Sequence, residues 1–415
     1  MAPRLVLIVL LWTCFVVRPS VYSSFAQTPD EQATPPVIIE SPPPTPPVDE
    51  PLPPEFIKPE QEDIVVLLGQ LRENVRSAPR SADDRLKLAE GLYRIGDLDA
   101  TIDECRIAIG LKPDHARAHL QLGRALMAKQ DWRSSLTELK EATRLNPALA
   151  QAHYNLGTVY YTTGNLKAAI ESYRQALALQ PSFPDARYRL ALVLKLGHRD
   201  QESAQFMEEA ALSGVPQAQY FLGNAYRTGQ GIEKSGAAAV YWWTKAVEFG
   251  HQPAATSLSH IRRQALSATQ PEKKQREALE AFHAYREKLW DDFPDLTRTD
   301  DNETVGTTLL KHNRADHAVS VLLQESYALS DVAQTELARL YEFGWEPHLA
   351  PFDKNLLTCF ETTAGEGFVP AKKILARIYG KGIGTTPDMQ KAKAQLKGLP
   401  KQDIKSVLDE LSVQP

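Results

Sequence analysis

Three sets of residues recur in this chain at one fixed interval. Pro113, Pro147 and Pro181 are 34 residues apart; Leu88, Leu122, Leu156 and Leu190 keep the same step, and so do Ala108, Ala142, Ala176 and Ala210. A constant period of this size is one supersecondary unit copied along the chain. A unit so short cannot enclose a core by itself, so neighbours must stack. Each of the four leucines is followed by a small residue, Ala89, Gly123, Gly157 or Ala191. Two helices meet closely only where one contact residue is small, which puts Gly157 and Ala169 at a helix crossing, while Tyr160 and Tyr173 fill the wider gaps. Gly164 and Asn165 sit in the turn between the two helices, and Pro181 ends the second helix before the next unit begins.

The period and pattern resemble the tetratricopeptide repeat. Four units are expected over 82–215, with the fullest motif in 116–183. In the first and fourth, Thr101 and Ser203 stand where the small alanine belongs, and Val215 replaces the proline. From 217 the pattern changes. Leu222-Gly223, Tyr226, Gly229, Gly231, Trp242-Trp243 and Lys245-Ala246 resemble a Sel1-like repeat, a related hairpin with a longer loop between its helices. It returns at 333–369 and 371–396. Leu337 and Leu375 are 38 apart, and Leu222 and Leu337 are 115 apart, close to three such steps. Two degenerate units are therefore expected in 254–330, inside a Sel1-like region of 216–400. The resemblance implies an all-α chain, a right-handed α-solenoid of helix-turn-helix repeats. The amphipathic stretch in 61–81, with Ile64, Leu67, Leu68, Leu71 and Val75 on one face, reads as an N-terminal capping helix, and 401–415 as a C-terminal one.

The beginning of the chain follows other rules. Arg4 precedes the apolar run of residues 5–17, which is short of the ~20 residues a membrane span needs. Ser24 and Ala26 are small residues suited to leader cleavage, so 1–26 reads as a secretory signal cut after Ala26. The alternative is an uncleaved short anchor, which would be the chain's one link to a membrane. A lipoprotein leader would use Cys14, but Trp12 and Thr13 before it fit poorly. Residues 27–60 hold twelve of the 29 prolines, mixed with acidic residues. Such a segment cannot bury a core and favours extended polyproline geometry; at about 3.1 Å per residue it reaches on the order of 100 Å. It reads as a disordered spacer, or as a PxxP docking peptide. The implied location is outside the cytoplasm, in the periplasm or secreted, with a bacterial envelope as the setting.

The formal net charge is -5, and losing Arg4 and Arg18 with the leader takes it to -7. Neither value suits nucleic acid as a partner. Of three cysteines, Cys14 leaves with the leader; Cys105 and Cys359 lie far apart in the array and are expected to be free, buried thiols. There is no C-x-x-C spacing, no H-E-x-x-H (His312 and His317 are five apart) and no G-x-S-x-G elbow, so no metal, cofactor or catalytic residue is assigned. The glycines of RTGQGI and YGKGIGTT lack the following Lys-Ser/Thr of a phosphate loop and read as turns between helices. Trp242 and Trp243 read as helix packing, with a sugar platform as the alternative. Asn302-Glu303-Thr304 is a glycosylation sequon, of consequence only in a eukaryotic secretory pathway.

The remaining candidate is the concave face of the repeat array. A register set on Leu122, Leu156 and Leu190 points Arg117, Gln121 and Arg124, then Gln151, Tyr154, Asn155, Thr158 and Tyr161, then Tyr188, Arg189 and Lys195 inward. Donors, cations and flat aromatics in that mixture suit an extended or helical peptide with an acidic or C-terminal carboxylate group. Asn155 and Arg189 match two positions of the carboxylate-clamp subfamily, whereas Asp185 and Leu120 stand where clamp lysines would be. The plain alternative is a solvated groove with no specific ligand. The reading is a non-enzymatic exported interaction scaffold. The alternatives are a scaffold subunit of an exopolysaccharide or cell-wall assembly machine, and a cell-wall-acting enzyme.

Overall fold

The structure is a computed structural model that describes residues 61–300 and 303–412. The leader, the proline-rich segment, Asn302 of the sequon and the last three residues lie outside the described residues. All regular structure among the described residues is helical, and one isolated bridge joins Trp345 to Leu349.

Helix α1 (Gln61–Ser77) precedes four hairpins: α2 (Ala82–Arg94) with α3 (Leu98–Leu111), α4 (Ala116–Ala128) with α5 (Trp132–Leu145), α6 (Ala150–Thr162) with α7 (Leu166–Leu179), and α8 (Pro184–Leu196) with α9 (Asp200–Leu212). The turns are written in the sequence. Asp97, Asp131 and Asn165, one period apart, each cap a second helix by accepting from the amide three residues on, at Ala100, Ser134 and Ala168. Leu68 and Val75 of α1 are buried with Leu88 and Leu92, so α1 covers the first hairpin.

Each hairpin is closed by one crossing in which a small residue faces a large one sixteen positions later. A methyl group on Gly123 would stand 2.7 Å from Leu139, and one on Gly157 2.7 Å from the Tyr173 ring. Where the small residue is alanine the partner is small or flexible: Ala89 is buried with Cys105, and Ala191 with the unbranched Met207. The crossing is a volume match, which close-packed interiors require.

In α10 (Pro216–Thr228) and α11 (Gly236–Glu248) the crossing recurs twenty residues apart, at Gly223 and Trp243. Trp243 is fully buried and its indole N–H donates to the Tyr220 carbonyl oxygen at 3.2 Å; Trp242 is buried as well, so packing accounts for both rings. The extra residues form the loop that Gly229 and Gly231 turn, both at φ 76°. At Gly231 the loop lies against the start of α9, and a side chain there would meet the Asp200 carbonyl oxygen at 2.2 Å. The glycines serve the turn, as the missing phosphate-loop residues imply.

The stretch without a motif is also helical: α12 (Gln252–Leu266), α13 (Glu272–Lys288), a 3-10 turn at Leu289–Asp292, α14 (Val305–Lys311) and α15 (Ala315–Tyr327). The hairpin of α14 and α15 uses the sixteen-residue crossing, between Gly306 and Leu322, rather than the twenty-residue crossing of the Sel1 unit before it. Three more helices, α16 (Asp331–Phe343), α17 (Lys354–Gly365) and α18 (Val369–Lys381), lead to α19 (Met389–Leu396) and α20 (Lys401–Ser412). The last lies on α18 through Lys373–Asp403 at 2.7 Å and Arg377–Glu410 at 2.7 Å.

Nearest-neighbour stacking gives way around α15. Its Gln324 donates to Glu248 at the end of α11 and accepts from the Tyr285 hydroxyl of α13; the Arg286 guanidinium donates to the Ala328 carbonyl oxygen; Ser326 meets Cys359 of α17 at 3.1 Å. Arg262 of α12 lies over the Tyr327 ring at 5.4 Å and forms a two-toothed ion pair with Glu366, 104 residues away and buried with it.

Candidate functional site

The first helices of three successive hairpins, α4, α6 and α8, carry the residues expected to line the concave face. The position just before the leucine of the 34-residue step holds Gln121, Asn155 and Arg189, and then Phe221 in the first Sel1 unit. Gln121 and Asn155 are each 3% exposed and Arg189 is 5% exposed. Both amides have their acceptor side occupied. Gln121 Oε1 takes a hydrogen bond from Arg124 Nη1 at 3.1 Å, and Asn155 Oδ1 takes one from Gln151 Nε2 at 3.4 Å. The donor sides, Gln121 Nε2 and Asn155 Nδ2, are buried without a partner. A buried donor left unmade costs roughly 1–3 kcal/mol, and here two occupy the same repeat position.

The other inward residues divide into two groups. Tyr154 belongs to the core: its ring is buried 4.9 Å from Phe183 and 5.7 Å from Tyr173, and burial pushes its hydroxyl well above the usual tyrosine range. Thr158 is engaged too, donating to the Tyr154 carbonyl oxygen and accepting from the Tyr173 hydroxyl, each at 3.2 Å. Arg117 is exposed, and Arg124 stacks over the Tyr93 ring at 4.8 Å. Tyr161, Tyr188 and Lys195 are half-buried. Burial raises the Tyr188 hydroxyl and the half-buried Asp185 carboxyl, and lowers the Arg189 guanidinium to about 10.

One participant is absent from the sequence reading. Phe221 lies 6.1 Å from the Tyr188 ring, with Lys195 Nζ 5.7 Å over its face. Its signal was available, since it stands before Leu222 as Asn155 stands before Leu156, but the change of motif at 217 hides the shared register.

Charge is unevenly distributed among the helices. Of the first helices, α4, α6, α8 and α10 contain six cations (Arg117, Arg124, Arg187, Arg189, Lys195, Arg227) and one carboxylate, Asp185, whereas α2 holds three of each. Helix α9 alone holds Asp200, Glu202, Glu208 and Glu209. Among the described residues no group of three or more histidine, cysteine or carboxylate side chains is arranged to hold a metal, and no helix is long and apolar enough to cross a membrane.

The tetratricopeptide repeat profile matches residues 120–182 and 163–218, and the Sel1 repeat profile matches 216–251 and 371–394. The chain carries tetratricopeptide and Sel1 repeats. Neither profile extends to 82–119 or 252–370, where the hairpin of α2 and α3 and the helices α12 to α17 continue the all-helical architecture. No curated protein matches the chain. Among solved structures, a Sel1 repeat protein from Oxalobacter formigenes is similar at 19% identity over 88% of this chain and 99% of its own, with a TM-score of 0.36. YrrB, described as a TPR protein with an unusual peptide-binding site, is 19% identical over 45% of this chain and 96% of its own, with a TM-score of 0.37. TTC0263, a TPR protein of Thermus thermophilus, is 22% identical over 40% and 91%, with a TM-score of 0.35. Repeats of these two kinds commonly bind proteins and peptides and are in general not catalytic.

Proposed function

We propose that this chain is a non-enzymatic, exported interaction scaffold that holds a peptide segment of another protein along the first helices of its tetratricopeptide units. The observation that carries the reading is the pair of buried, unpartnered amide donors, Gln121 Nε2 and Asn155 Nδ2, one repeat apart. Their acceptor sides are occupied by Arg124 and Gln151, so what they offer a ligand is N–H. The complement is a row of acceptors, such as main-chain carbonyl oxygens or a carboxylate. The cation excess of the same helices favours a ligand carrying negative charge. Export rests on residues 1–26, and the periplasm or the extracellular medium is the compartment that goes with them.

Crosslinking in the native compartment with mass spectrometry identifies the partner and the first residue of the mature chain, expected to be Gln27. Calorimetry against that partner then tests the site. Asn155→Ala together with Arg189→Ala is expected to weaken binding by tenfold or more, on the order of 1.4 kcal/mol or greater. Equal affinity for the folded double variant and the original chain would end the groove reading.

A further inference from the structure

We propose that this groove does not stop at the last tetratricopeptide unit but continues into the first Sel1 unit, where Tyr188, Phe221 and Lys195 form a subsite for a bulky apolar side chain carried next to a carboxylate. The proposal rests on the groove reading above and deepens it. Phe221 occupies in α10 the position that Gln121, Asn155 and Arg189 occupy in α4, α6 and α8. A row of polar groups thus ends on an aromatic ring. That ring is held on two sides, by Tyr188 at 6.1 Å with 36° between the planes and by Tyr220 at 5.6 Å. It remains only half-buried, as does Tyr188, so part of this aromatic surface stays open.

Beside that surface stands Lys195 Nζ, 5.7 Å over the Phe221 ring. Among the described residues Lys195 has no carboxylate within ion-pair distance. Asp200, which lines the same small depression together with Met207 and Gln230, accepts a hydrogen bond from Gln230 Nε2 at 3.1 Å. An aromatic wall with an ammonium that makes no ion pair at its edge fits one chemistry, a leucine- or phenylalanine-sized side chain beside an aspartate, a glutamate or a chain-terminal carboxylate. The occupant we assign to it is a segment of a different polypeptide. Charge complementarity favours it, because α4, α6, α8 and α10 carry six cations, of which Arg187 is paired with Glu209 at 3.0 Å, against one carboxylate in a chain whose formal charge is -5.

The test uses the full chain and three fluorescein-labelled hexapeptides of Gly-Ser background, carrying Asp-Leu, Asp-Ser or Lys-Leu at the centre, read by anisotropy. The unaltered chain is expected to bind the Asp-Leu peptide about tenfold more tightly than either of the others, the size of one partly buried aliphatic side chain or one ion pair. Phe221→Ala is expected to abolish the preference for leucine over serine, while Phe221→Leu keeps it. Lys195→Glu is expected to reverse the preference for Asp over Lys, and Asn155→Ala to weaken all three peptides alike. Thermal melting of each variant shows that it is folded. If Phe221→Ala retains the leucine preference, or Lys195→Glu fails to reverse the charge preference, the subsite is refuted while the groove stands. If none of the three peptides binds the unaltered chain, subsite and groove fall together.

Discussion

Replacing Gly157 with alanine places a methyl carbon 2.7 Å from two atoms of the Tyr173 ring, nearer than carbon atoms approach without displacement. The ring cannot swing aside. Tyr173 is fully buried, touches Tyr154 at 5.7 Å between centroids, and donates its hydroxyl to Thr158. Overpacking of this kind costs about 1–3 kcal/mol. Alanine recovers about 1 kcal/mol of helix propensity relative to glycine. The expected balance is a loss of about 0–2 kcal/mol, read as a fall in the urea midpoint at unchanged m. Gly110 supplies the control: it lies in α3, and a methyl group there would have nothing within 4 Å, so Gly110→Ala should stabilise, by up to about 1 kcal/mol. The chain also contains its own remedy. In the equivalent position of the fourth hairpin, Ala191 is buried with Met207. Gly157→Ala with Tyr173→Met should therefore lose less than the sum of the two single changes, with a coupling of about 1 kcal/mol or more. If the two changes add within about 0.5 kcal/mol, or if Gly157→Ala is as stabilising as Gly110→Ala, the volume-match account of the repeat is wrong.

Three further outcomes follow from side chains away from the groove. Glu325 accepts from the Val305 and Gly306 amides at the start of α14 and lies near Arg286, yet burial outweighs these and raises its carboxyl to about 7. The folded chain thus binds this proton more tightly than the unfolded one does. Stability attributable to Glu325 is full at acid pH and declines as pH rises from the ordinary glutamate range to about 7, by at most ~1.4 kcal/mol per unit; urea titrations across that range should lose this slope in Glu325→Gln. Arg262→Met leaves the Glu366 carboxylate buried and unpaired and should cost about 3–5 kcal/mol, against ~0–1 kcal/mol for Arg377→Met in the exposed pair with Glu410. Burial raises the Cys105 thiol to about 12 and the Cys359 thiol to about 11, so a thiolate-trapping disulfide reagent should react with neither at pH 8 until urea unfolds the chain.

The register of the candidate groove was legible in part. The 34-residue register placed Gln121, Asn155 and Arg189 in equivalent positions on successive helices, and the structure shows them in one kind of environment, buried and polar. The register could not separate Tyr154 from Tyr161, because both project from α6 and only packing against Phe183 and Tyr173 draws the first into the core. Phe221 was hidden for another reason. Its role depends on Tyr188 and Lys195 of the preceding hairpin, and a motif read within its own unit does not report a neighbour.

What the sequence determined alone was everything that repeats locally. The small-large crossing, the Asp97, Asp131 and Asn165 caps and the loop glycines are each set by residues within about twenty positions of one another, so period and spacing expose them. The segment between 254 and 330 shows the opposite case. Its helices could be expected, but the convergence of α11, α12, α13 and α17 on α15, and the Arg262–Glu366 pair across 104 residues, come from surfaces that meet only after the hairpins have formed. A buried charge pair has no period, and neither partner carries a local sign that the other exists. Tertiary packing alone decides it, because the desolvation of each ion is tolerated only once the other is in place.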